Sequence, residues 1–488
     1  MCVAFNHSSV GDEDVTPDHP VPTRYATLAE QLARAIRDGT LRPGDRLPSV
    51  RQLCQLHDMS SITVQHALHL LEDQGLVESR PRAGFFVARA ARTASAAAPG
   101  SVEYAQLLAL SAKSELTLDF ATRRDGDRLG ILCFDEEHYP LEQIRKILSD
   151  IMRRYPETLT AWQAHEPGLS ACVARRAMEY GCRFAAGDVL ITHGTIEGMG
   201  LSLRAVASKG DAVLVAVPCE FELLEAISAL GLRAIEITAD ETGRITVDAI
   251  AARLDAEPVA AFVFTGLFLG PMRSAMSDAE KAAVVQLFAE RNIPMIEGDP
   301  YTELAWGPAR PRPFKAWDEH GIVLYCSDLG LVICPGFQLG YLVGERYRRR
   351  LDLLQKSSCE MPPPLLQKAA AKFMEGSGYE RHLRQFRQKL HEQAQRLAEL
   401  VRLHFPPEAR VVEPHGAQLL WIEMPAGFDA VELQAKAKRD GIVFAPGNLF
   451  SFGDSFRNCL RLNTGHAVDA ATVAQVKRLG ELAQEMMG

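Results

Sequence analysis

Beyond about Leu118, short apolar runs alternate with longer stretches whose apolar residues recur at helical spacing, as at 188–192, 212–217, 260–264, 294–296 and 322–325. Runs apolar on both faces suit strands covered on both sides, and an intervening helix returns the chain so that the next strand can run parallel. The alternation predicts an α/β body with a mostly parallel sheet and helices on both faces. After Pro364 the pattern changes. A long helical region leads into a smaller α+β section, about 375–488, with strands expected at 418–422 and 460–462. No internal repeat is visible. At 488 residues the chain is too long for one ordinary core.

The residues before this body read differently. Leu28, Leu32 and Ile36 share one helical face that ends at Gly39. Ser49 begins a short helix through Leu53 and Leu56, and Ser60 begins another with Val64, Ala67, Leu68 and Leu71 inside. Two short strands, 76–79 and 85–87, flank Pro81-Arg82-Ala83-Gly84. Three helices and a β-hairpin predict a winged helix-turn-helix over 22–88. Residues 1–21 are acidic with proline and glycine and read as a disordered leader, and 89–117, rich in Ala, Ser and Arg, read as a linker. As a flexible coil, the stretch 88–115 spans about 26–32 Å on average.

Composition narrows the class. No run of about 18 apolar residues and no secretory pattern is present. Ten cysteines are scattered without a CxxC pair, which suits a cytoplasmic protein with neither a disulfide framework nor a metal site. The net charge of −9 does not advertise a nucleic-acid binder. Within 22–88, however, eight arginines stand against seven acids, with Arg80 and Arg82 clustered beside Gly84.

The stretch from Gly39-Thr40-Leu41-Arg42-Pro43-Gly44-Asp45-Arg46-Leu47-Pro48-Ser49-Val50-Arg51 through Ser60-x-x-Thr63-Val64-x-x-Ala67 and Leu71-Glu72-x-x-Gly75-Leu76-Val77 to Gly84-x-x-Val87 resembles the GntR family. The resemblance implies that the helix after Ser60 enters the major groove while the wing touches the minor groove. Thr63 and Gln65 would then reach base edges or phosphates, with Arg51, Arg80 and Arg82 on phosphates and Ser60, Ser61 and Gly84 at the interface. The family often carries arginine where Ser61 stands.

The body, 118–488, resembles fold-type I aminotransferases, and its fusion to a GntR-like head resembles the MocR subfamily of regulators. The resemblance rests on Gly194-Thr195-Ile196-Glu197, Lys209-Gly210-Asp211, Glu297 ahead of Asp299-Pro300-Tyr301, Pro335-Gly336-x-x-x-Gly340, Gly447-Asn448-Leu449-Phe450-Ser451 and Asn458-Cys459-Leu460-Arg461-Leu462-Asn463. Those aminotransferases read roughly Ser-Phe-Ser-Lys, three residues, Pro-Gly, any residue, Arg-x-Gly. Here the lysine position is Leu331 and the arginine position is Gln338. The aspartate expected on the pyridinium nitrogen is Gly298, the asparagine expected at the ring oxygen is Gly270, and the stacking aromatic is Glu220. Covalent, charge, ring-oxygen, stacking and phosphate contacts to pyridoxal phosphate are therefore all missing. Lys315 and Lys356 are the candidates for a displaced lysine, the first in a loop-like Pro-Phe-Lys and the second on a polar helix.

The resemblance leaves Arg461 as a carboxylate-binding arginine or a structural one, and Tyr301 as a ring-oxygen tyrosine or a core one. Gly194 and Thr195 offer a helix-N-terminus anion site. Glu220 and Arg273 are either new cleft groups or surface charges. The expected function is a homodimeric transcription regulator that binds a double-stranded DNA operator. Its body, catalytically dead and without covalent pyridoxal phosphate, dimerises and senses a small carboxylate or amino-acid-like molecule. The competing reading is a pyridoxal-phosphate-binding regulator or aminotransferase that uses a displaced lysine or a non-covalent cofactor.

Overall fold

The computed structural model describes residues 24–37, 41, 44–80, 84–88, 128–130, 133–161, 165–240, 243–265, 276–307, 310–358, 360–412, 416–453 and 455–488. The expected leader and linker, Arg82, Gly270 and Arg273 lie outside them. The chain divides into two compact units, Met1–Leu107 and Leu108–Gly488.

In the first unit α1 (Arg24–Arg37), α2 (Val50–His57) and α3 (Ser61–Asp73) precede the hairpin β1 (Val77–Arg80) and β2 (Gly84–Val87). Ser49 and Gln52 form a reciprocal cap at the start of α2, and the Thr63 N–H donates to Ser60 Oγ at the start of α3 (3.2 Å). The αL residue Asp58 (φ 49°) turns α2 into α3. Leu28, Leu53, Val64, Leu68, Leu71, Val77 and Val87 close one small core. The apolar spacing that predicted these helices matches that core at Leu28, Ile36, Leu53, Val64, Ala67, Leu68 and Leu71, while Leu56 is 78% exposed and lies outside it.

The second unit is built on a seven-stranded sheet. Its strands are β3 (Val189–Thr192), β4 (Ala212–Val217), β5 (Arg233–Thr238), β6 (Ala261–Thr265), β7 (Met295–Asp299), β8 (Val323–Asp328) and β9 (Gly340–Val343), in the spatial order β3-β9-β8-β7-β6-β4-β5. The run from β5 to β8 is parallel, while β9 is antiparallel to both β8 and β3. Strands β4, β6 and β7 are buried along their whole length, as expected of a sheet covered on both faces. A second, antiparallel sheet takes the order β10-β11-β13-β12, from β10 (Arg410–Val412), β11 (Leu419–Glu423), β12 (Ala445–Pro446) and β13 (Cys459–Asn463). It packs its own core with the helices Gly378–His404 and Ala470–Met487, through Leu397, Val401, Leu420, Leu460, Leu479 and Leu482.

One close approach fixes the end of the main sheet. A Cβ on Gly340 would lie 2.5 Å from the carbonyl carbon of Gly194, which itself has φ +75°. Glycine at both positions lets β9 pass directly against the turn from β3 into the helix Gly194–Val206.

Candidate functional site

The head presents the exposed side of α3. Ser60, Ser61, Ile62, Gln65, His66 and His69 face outward, while Val64, Ala67, Leu68 and Leu71 are inside. Gln65 and Ser61 are therefore both exposed on the outer side of α3. Thr63 is half-buried and its hydroxyl lies 2.8 Å from Ser60 Oγ, so it serves the cap first. Arg51 is exposed on α2. Arg80 is exposed too, but its Nε (2.9 Å) and Nη2 (2.6 Å) both donate to Glu78 Oε1, and its guanidinium stacks 4.3 Å over the Phe86 ring. Part of its charge is thus spent within the wing. Gly84 is exposed opposite Arg80 in the hairpin.

The body carries a cleft of about 290 Å³ at the C-terminal ends of the parallel strands, the usual ligand position in such sheets. Each strand end contributes. His193, Gly194, Thr195 and Ile196 follow β3, Glu220 and Glu222 follow β4, Thr265 ends β6, Gly298, Pro300 and Tyr301 come from β7, and Asp328 and Leu331 from β8. Met199 and Gln418 complete the wall. The structure thus gathers Gly194, Thr195, Tyr301, Leu331, Gly298 and Glu220, residues far apart in sequence, around one space.

Two anion-binding positions in that space are taken by the chain's own carboxylates. Asp328 accepts from the Leu331 N–H (2.6 Å) and faces the Thr195 N–H, while the nearby Gly330 N–H donates to the Leu339 carbonyl (2.8 Å). The N–H donor at the start of helix Gly194–Val206, expected to be free for a ligand, is therefore engaged by Asp328. Burial pushes the Asp328 carboxyl up to about 6, against the opposing pull of the three N–H groups. On the other side Glu220 accepts from the Tyr301 hydroxyl (3.0 Å) and lies 3.3 Å from Arg461 Nη1. Glu220 is therefore a buried cleft group and not a surface charge. Arg461 is only partly engaged, because Glu220 lies against its Nη1 while its buried Nε meets no partner. The guanidinium also lies 4.6 Å over the Phe450 ring. Burial, then the Glu220 charge, holds the Tyr301 hydroxyl far above its ordinary range.

The other positions named from the resemblance lie as follows. Leu331 has no amine, and it packs beside the core around Val332 and Ile333 at the cleft edge. Position 298 has no room for a side chain as packed, since a Cβ there would lie 2.5 Å from Met199 Sδ. Gln338 is exposed in the left-handed region at φ 49°. Glu222 stands at the rim, where desolvation of its carboxyl and then the Glu220 charge push it upward. Lys315 corrects the loop expectation. It sits buried in a short 3₁₀ helix, and its Nζ reaches Asp318 (2.9 Å), Glu345 (2.7 Å) and the Val323 carbonyl (3.0 Å). Lys356 lies exposed on the helix Arg348–Ser358. Neither lysine lines the cleft. Among the described residues no cluster of metal-ligating side chains occurs, and no helix is long and apolar enough to cross a membrane.

Asp328, Met199, Thr265, Glu222 and Gln418 escaped the sequence reading. Only Asp328 left a signal there, as an acid at the first serine position of the Ser-Phe-Ser-Lys pattern.

Comparison with known proteins places both units. Residues 24–87 match the family described as bacterial regulatory proteins, gntR family. The chain is 32% identical over 480 residues to the HTH-type transcriptional regulator YdcR of Escherichia coli (strain K12), covering 95% of this chain and 100% of that one. It is likewise 32% identical over 470 residues to the HTH-type transcriptional regulator YjiR of the same organism, with 95% and 100% covered. In fold, the chain is similar to the kynurenine aminotransferase of Pyrococcus horikoshii, with a TM-score of 0.71 and 22% identity over 80% of this chain and 99% of that one.

Proposed function

The chain belongs to the family of HTH-type transcriptional regulators that join a GntR-type head to an aminotransferase-like body, and from that membership we propose a regulator whose body senses without a covalent cofactor. The head binds double-stranded DNA. The body is a catalytically silent dimeriser, and occupancy of its cleft shifts the heads between DNA-competent and incompetent arrangements. Two-fold dimers match paired half-sites on an operator, which supports the homodimer.

One observation carries the silent-body reading: the residues at the cleft do not fit pyridoxal phosphate. Leu331 offers no amine for a covalent link, and the N–H groups of Thr195 and Leu331 already serve the Asp328 carboxylate. A phosphate placed there would meet a buried carboxylate instead of donors. Met199 occupies the space at Gly298 from which a carboxylate would project. Glu220 stands where the stacking ring would be and ties up Tyr301 and Arg461. These features also weigh against non-covalent binding of the same cofactor.

The regulatory reading is tested by selecting duplexes from random DNA with the full chain. Recovery of a two-fold symmetric site whose sequence preference changes in Gln65→Ala and Ser61→Ala supports it. Binding without sequence preference, or a preference untouched by both substitutions, refutes the assignment of α3 as the reading helix.

A further inference from the structure

The cleft keeps one kind of hydrogen-bonding capacity unused. Thr265 and Gln418 line it and are 4% and 1% exposed, yet Thr265 Oγ1 and Gln418 Oε1 meet no hydrogen-bond partner. Thr195 Oγ1, also on the cavity wall, is in the same condition. A glutamine oxygen only accepts, and a threonine hydroxyl accepts as readily as it donates. Buried polar atoms are normally satisfied, so orphans on residues that line a cavity mark where a bound molecule can supply the missing partner. The partner required here is rich in donors.

Charge points the same way. The carboxylates of Glu220, Glu222 and Asp328 line the space, while no lysine or arginine among the described residues does. The Arg461 guanidinium is not among the lining residues; its Nη1 lies 3.3 Å from Glu220, while its Nε meets no partner. The His193 ring is held at 3.0 Å by the Glu360 carbonyl. The N–H groups that would welcome an anion are committed to Asp328. An anionic ligand, or the carboxylate of an amino acid, would therefore meet carboxylates of its own sign on the described wall. The remaining wall is apolar, from Met199, Ile196, Leu331 and Pro300, and about 290 Å³ holds only a small molecule.

We propose that the cleft binds a small alkylamine lacking a carboxylate. Its ammonium group is held by Glu222, Thr265 and Gln418, and its short hydrocarbon part lies against Met199 and Leu331. This rests on the reading of the body as a sensor without covalent cofactor, and it replaces the carboxylate ligand expected from sequence. An ammonium supplies the several donors that the orphaned oxygens lack and a charge opposite to the wall.

The test uses the full chain and three probes with one carbon skeleton: n-butylamine hydrochloride, butyramide and sodium butyrate, titrated calorimetrically at constant ionic strength. The expected result is saturable binding of n-butylamine alone, weakened at least about tenfold in Glu222→Gln and in Thr265→Val. Glu222 is exposed, so its variant folds whether or not Thr265→Val does. Binding of butyrate, equal binding of butyramide, amine binding untouched by Glu222→Gln, or no binding of any probe each overturns the proposal. The same preparation is treated with pyridoxal phosphate and borohydride. With unbound pyridoxal phosphate removed before reduction, a stoichiometric adduct on one lysine defeats the cofactor-free reading itself, whereas no such adduct together with no amine binding removes the amine assignment alone.

Discussion

The Asp328 carboxylate gives the self-filled cleft a pH signature. Its carboxyl is raised from an ordinary 3.8 to about 6, chiefly by burial. A carboxyl raised in the folded chain takes its proton there more readily than in the unfolded chain. Its contribution to stability is therefore fully present below 3.8 and is lost as pH rises through about 6. The whole difference corresponds to about 3 kcal/mol. Between roughly pH 8 and pH 5, about 1.4 kcal/mol of it is recovered. Asp328→Asn removes the titration, so wild type should gain about 1.4 kcal/mol on the variant over that interval, whatever their separation at any one pH. Urea unfolding followed by tryptophan fluorescence measures this. All four tryptophans, 162, 306, 317 and 421, lie in the second unit, so the signal reports the body alone. Other titrating groups, such as His138, His165 and His382, are common to both proteins and cancel in the comparison. A difference flat with pH would show that Asp328 is not a desolvated carboxyl in the folded chain. One of opposite sign would show that the N–H cradle outweighs desolvation. Either refutes the reasoning.

Two further substitutions separate the contributions at each site. Leu331→Lys alone should yield no borohydride-trapped pyridoxal phosphate adduct at position 331, because Asp328 still holds the Thr195 N–H and keeps a carboxylate in the space. Asp328→Ser/Leu331→Lys should yield one, and intact mass decides between them. In the head, Arg51→Ala should weaken operator binding across sequences and reduce the salt slope by about 1. Arg80→Ala should change the slope less, since Glu78 already engages its guanidinium, and binding isotherms over a salt series compare the two.

The architecture was legible because periodicity reports burial. Leu68 and Leu71 recur at helical spacing because α3 has one inner face, and 212–217 is continuously apolar because β4 is covered on both sides. Strand β9 was not read as a strand. Gly340 and Tyr341 were absorbed into a motif, and the antiparallel pairing of β9 depends on two partners distant in sequence. At the cleft, the resemblance named positions where cofactor contacts were expected to be missing but not what surrounds them. Met199 fills the space at Gly298 through helix packing against β7, and Asp328 meets Thr195 only because β9 brings β8 and β3 to the same edge. Such replacements are three-dimensional and leave no spacing. Lys315 looked like part of a loop because Pro-Phe-Lys has no periodicity. Its burial follows from Asp318 and Glu345, which neutralise it.

The central claim is that this body regulates without a covalently bound cofactor, and one preparation addresses it directly. The full chain is purified from cells supplied with pyridoxine, its absorbance spectrum is recorded, and its intact mass is measured after borohydride reduction. The account predicts no cofactor chromophore and an unmodified mass. A reduced pyridoxyl adduct on any lysine would contradict it and would move the covalent chemistry to a residue other than Leu331.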